Sequence, residues 1–237
     1  YIVAMFRKLL EILFVSSVLM SFCQAELTFE KKLKAVTTKP DTKVIFIEFP
    51  FENKSKETVT IVEYEAPCTC MGARIRRPDG VESLVFKPGD KGIIIGKLEF
   101  ENFKGTIDKM IIIRTDKDKT ADPSIQLTCR VTIPIVISAD VETLEWTLGD
   151  ALEPKVFHIK VDHTKPVNIT KHKIGYGGNE AFDYKLEVVE AGKEYKITVT
   201  PKKTNQAFIA PLKFYTDCEI ERFKLVQIFV SISPKKK

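Results

Sequence analysis

From Ser124 to Ile133 every second residue is apolar: Ile125, Leu127, Cys129, Val131 and Ile133 alternate with Gln126, Thr128, Arg130 and Thr132. Side chains of an extended chain point alternately to opposite sides, so such a segment makes a strand with one buried and one wetted face. The style recurs along the sequence. Lys43 to Phe51 places Ile45, Ile47, Phe49 and Phe51 in one phase. Thr58 to Tyr64, Gly92 to Phe100 and Thr106 to Thr115 follow, separated by polar or glycine-containing turns. Lys155 to Asp162 turns Phe157, Ile159 and Val161 inward, and five further short runs extend to Ile232. Short alternating strands between turn signals, with almost no helical periodicity, predict antiparallel sandwiches and not a parallel α/β sheet.

The two halves resemble each other. The run ending Ile113-Arg114-Thr115-Asp116 has a counterpart ending Phe214-Tyr215-Thr216-Asp217, and each precedes a turn and a last strand. The repeat predicts two sandwich domains, over residues 26–137 and 138–233, with a basic tail at 234–237. Ahead of them, Arg7 and Lys8 precede an apolar run that closes on Cys23-Gln24-Ala25. That order is read as a secretory signal peptide over residues 1–25, upstream residues included. The run is too short for a retained span. The expected location is therefore periplasmic or secreted, with no integral membrane span after processing. A net charge of +5 is spread through interleaved lysines and acids, which excludes a nucleic-acid stripe.

Phe49-x-Phe51-x-Asn53, Val59-x-Ile61, Cys68-Thr69-Cys70, Pro88-Gly89-Asp90, Gly105 and Thr115-Asp116 occur in that order. The set resembles the bacterial exported family known as domain of unknown function fifteen-seventy-three, over about residues 29–137. The resemblance implies an immunoglobulin-like fold and export. The whole expectation is all-β: two tandem immunoglobulin-like antiparallel β-sandwich domains after a signal peptide. At the cysteine motif the family reads Cys-Gly-Cys-Thr; here Thr69 replaces the glycine and Met71 the threonine.

The Cys-Thr-Cys motif has three readings: a small redox-labile disulfide, a soft-metal site for Cu(I) formed by Cys68 and Cys70 with Met71 as thioether, or thiols that merely pack. Cys129 is expected to be a buried apolar residue and Cys218 to be exposed in a turn. His158, His163 and His172 are read as surface residues, with an approach of His163 to His172 conceivable across a hairpin. Trp146 is placed as a plug at the end of a sandwich or at a domain seam. No hydrolase, zinc-protease or phosphate-loop motif occurs. The expected function is a non-enzymatic protein-interaction or scaffolding module with a protein partner in the cell envelope and no cofactor. The alternative is a copper- or thiol-handling protein. The edges offered to a partner are expected near Leu27 to Val36 and Ala73 to Arg76.

Overall fold

The computed structural model of the chain describes residues 27–100, 102–118 and 125–235. The signal-peptide expectation for residues 1–25, and Lys236 and Lys237 of the tail, lie outside the described residues. The chain is all-β. The first nine strands are β1 (Leu27–Phe29), β2 (Leu33–Thr37), β3 (Val44–Asn53), β4 (Val59–Glu65), β5 (Met71–Arg76), β6 (Val85–Phe86), β7 (Lys91–Glu99), β8 (Gly105–Thr115) and β9 (Ile125–Ile133). They form a 4-stranded sheet in the order β1-β3-β7-β5 and a 5-stranded sheet in the order β2-β9-β8-β4-β6.

The remaining strands are β10 (Ile137–Ala139), β11 (Thr143–Thr147), β12 (Lys155–Val161), β13 (Ile169–Ile174), β14 (Phe182–Glu190), β15 (Glu194–Pro201), β16 (Phe208–Thr216) and β17 (Leu225–Ser233). A single helical turn, α1 (Gly178–Ala181), precedes β14. Here the orders are β10-β12-β15-β14 and β11-β17-β16-β13.

If the leading pair of each set is taken as one split strand, both sets read ABED on one sheet and GFC on the other, with β6 added beyond the C strand of the first set. That is the strand order of the immunoglobulin constant-type sandwich. The split is visible in the pairing: β10 runs antiparallel to β12, while β11 runs parallel to β17. The leading strand thus changes sheets within a few residues, and the sequence alone gave no sign of this.

Alternation decides which side chains are buried. In β9, Ile125, Leu127, Cys129, Val131 and Ile133 are all buried, and in β3 so are Ile47, Phe49, Phe51 and Asn53. The chain divides into two compact units, each assembled from separated segments: one from residues 27–34, 46–97 and 110–128, the other from 35–45, 98–109 and 129 onward. In the first unit Phe51 packs against Phe29 and Phe86, with ring centroids 5.4 and 4.8 Å away. Gly92 on β7 lies against the same rings: a Cβ there would come within 2.2 Å of Phe51 Cζ. In the second unit a continuous core runs from Val136 to Ile232 around Trp146, Phe157, Phe182, Phe214 and Phe223.

Candidate functional site

The candidate site is the end of β4 and the loop that leaves it. On one side β4 pairs with β8, with a bulge between Ile61 and Glu63. On the other side β6 meets only Val59 and Thr60, and the Ile61 N–H donates to Leu84 O at 2.8 Å. Pairing stops there because the chain ahead of β6 turns aside. The Ser83 hydroxyl hydrogen-bonds the backbone of Val85, and Glu82 bridges to Arg76 on β5. Among the described residues no strand pairs with the outer side of Val62–Glu65. Val62 is 60% and Tyr64 39% exposed on this stretch. Glu63 is held by Arg114 at 2.9 Å. An extended edge with unpaired backbone groups and apolar side chains can accept a partner strand.

Ala66-Pro67 then ends β4, since proline supplies no N–H to continue a ladder. Cys68 and Cys70 are joined in a disulfide, with Cα atoms 5.3 Å apart. Both cysteines are half-buried and Thr69 is exposed. The Met71 N–H donates to Cys68 O at 3.3 Å, closing the turn into β5. The Met71 side chain itself is buried, 6% exposed. The copper reading of Cys68, Cys70 and Met71 concerns the reduced pair, because a soft ion needs thiolates that a disulfide does not offer. Among the described residues no group of three or more His, Cys, Asp or Glu side chains is placed to hold a metal.

The other cysteines among the described residues, Cys129 and Cys218, are free and buried. Burial pushes the Cys129 thiol up to about 12. Cys218 is 1% exposed, against the expectation of an exposed turn residue. Its backbone N–H donates to Thr216 Oγ1 at 3.3 Å, and the following 3₁₀ turn, Glu221–Phe223, folds the segment inward. Burial raises its thiol too, opposed by a hydrogen bond from the Ile220 N–H.

The histidines do not converge. His158 Nδ1 lies 3.3 Å from Asp140, and His172 Nδ1 lies 2.9 Å from the Tyr184 hydroxyl. The His163 side chain is only 11% exposed, which corrects its reading as a surface group. Its Nδ1 accepts the Lys165 N–H at 3.0 Å, so the neutral ring carries its proton on Nε2, which lies 3.8 Å from Glu219. Trp146 is a core residue: it packs at a tilt against Phe182, with ring centroids 5.4 Å apart, and donates from Nε1 to Glu153 O at 2.9 Å.

Residues 27–131 match the family described as protein of unknown function (DUF1573). The DUF1573 stretch takes in both the open edge of β4 and the cysteine loop. No curated protein matches the chain. Among solved structures, a protein of unknown function from Porphyromonas gingivalis W83 is 9% identical, over 88% of this chain and 99% of that one, with a TM-score of 0.35. Zebrafish RET cadherin-like domains 1 to 4 are 7% identical, over 89% of this chain and 51% of that one, with a TM-score of 0.33. Domains 5-6 of the S-layer protein SbsC are 9% identical, over 90% and 98%, with a TM-score of 0.29.

Two features escaped the sequence reading. In the sequence Val62 and Tyr64 fall in the phase opposite to Val59 and Ile61, which was the available signal; the bulge after Ile61 then sets Tyr64 across from Ile113. Arg222 is the other. It is 5% exposed, and its guanidinium donates to Phe103 O at 2.9 Å, to Phe100 O at 3.1 Å and to Thr42 O. Burial pulls it below its ordinary value and Asp41 opposes the shift. Nothing in the sequence separates Arg222 from its exposed counterparts, because its partners are backbone carbonyls far away along the chain.

Proposed function

We propose that the chain is a non-enzymatic, exported immunoglobulin-like module that binds a protein partner in the cell envelope by taking a strand of that partner onto β4. The observation that carries this reading is the one-sided pairing of Val62–Glu65, with Val62 and Tyr64 exposed along it. Main-chain hydrogen bonds would supply affinity, and the alternate side chains would supply specificity. Export is supported by the basic start, apolar run and Cys23-Gln24-Ala25 ending of the first 25 residues, and by a disulfide that an oxidising compartment would preserve. No helix of the described residues is long and apolar enough to cross a membrane. Detection of a mature N-terminus at Glu26 by mass spectrometry tests export.

Binding is tested by placing a photo-crosslinking aromatic residue at Tyr64 and, as a control, at Tyr176, which is 81% exposed. The expected result is a discrete adduct with an envelope protein from Tyr64 alone, abolished by Val62→Lys, whose charge blocks edge pairing. Equal adducts from both positions, or none from Tyr64, would contradict the reading. The copper alternative makes a different prediction: the reduced chain would take up Cu(I) stoichiometrically through Cys68 and Cys70.

A further inference from the structure

We propose that the Cys68–Cys70 bond is an exchange site, a disulfide that a protein dithiol reduces while the chain stays folded. The proposal goes beyond the binding reading and does not depend on it.

Three observations converge on the loop. The bond closes over a single intervening residue. A disulfide stabilises a fold chiefly by restricting the unfolded chain, and that restriction shrinks with loop length, so a bond over so short a loop contributes little. Both cysteines are half-buried at a turn, beside an exposed Thr69, where a thiolate can approach. Finally, the two remaining cysteines among the described residues are held apart from this chemistry. Cys129 and Cys218 are 0% and 1% exposed inside packed strands and turns, and neither is bonded. The chain's one disulfide among the described residues sits where it does little for stability.

The step balances as follows. A thiolate of the partner dithiol attacks one sulfur of the pair. A mixed disulfide forms as the Cys68–Cys70 bond breaks, and the displaced sulfur leaves as a thiolate that takes a proton from water. The partner's second thiolate then attacks the mixed disulfide and closes the partner's own disulfide. The last cysteine is released and protonated in turn. Two electrons pass from the partner dithiol to the loop, and the two protons that the partner thiols gave up to water are matched by those now on Cys68 and Cys70.

The test uses the full chain and, as probe, a thioredoxin lacking its resolving cysteine. A one-to-one mixed disulfide should form, at a rate about ten-fold above that of the same probe with oxidised glutathione. Cys68→Ser combined with Cys70→Ser should abolish the adduct and leave the circular dichroism spectrum unchanged. In glutathione buffers of increasing reducing strength, alkylation should label Cys68 and Cys70 and spare Cys129 and Cys218. The proposal is overturned if no adduct forms, if its rate does not exceed that of oxidised glutathione, or if the bond is reduced only as the chain unfolds. Failure of the double variant to fold overturns it equally.

Discussion

Asn53 shows how much one polar residue can hold in this fold. It is fully buried at the end of β3, and its side-chain amide donates at 2.8 Å to both Glu57 O and Phe86 O. Its Oδ1 accepts the Ser55 N–H at 3.0 Å and the Ser55 hydroxyl at 2.7 Å. Removing it strands the buried Phe86 carbonyl, so Asn53→Ala should lower stability by about 1–3 kcal/mol, read as a shift in urea midpoint. A change under about 0.5 kcal/mol would contradict this role. Asp217 makes a second prediction at this scale. It accepts the Asn168 backbone N–H at 2.7 Å and the side-chain amide at 3.0 Å, and these bonds hold its carboxyl below the ordinary aspartate value. A depressed folded pKa gives stability above the unfolded value, near 4, that is lost as pH falls through the folded one. Asp217→Asn should therefore be less stable than the parent at neutral pH, and the difference should shrink at low pH. Denaturant midpoints at both ends of that range measure it. The alternation of Phe49 and Phe51 already put Asn53 in the buried phase. What the sequence hid was that a polar residue there is fully satisfied, since one of its partners, Phe86, lies 33 residues away.

Strand faces were the most legible level, because alternation is a local property: β9 and β12 bury the residues their spacing indicated. The expected edges were also found, with β1 and β5 flanking one sheet and β2 flanking the other. Pairing was less legible, since it depends on residues far apart in sequence. The split of β10 from β11 and the bulge at Val62 are set by β12, β17 and β8, not by local composition. Within β7, Gly92 meets a close approach of two rings, Phe51 Cζ at 2.2 Å and Phe86 Cε1 at 2.7 Å from a would-be Cβ. Gly92→Ala should cost about 1–3 kcal/mol through displaced aromatic packing, measured by thermal or urea unfolding. An unchanged midpoint would show that the rings yield freely.

For the molecule as a whole, the recurring ABED and GFC order places stability in apolar cores that contain unlinked cysteines. What is left for recognition lies at the margins of the sheets, where β4 outruns β6 beside the cysteine loop. The function rests on that margin being open, and residue-resolved amide hydrogen exchange tests it most directly. The account predicts that amides of Val62–Glu65 facing away from β8 exchange rapidly while those of Ile111 and Ile113 in β8 stay protected. Uniform protection across Val62–Glu65, equal to that of β8, would contradict it.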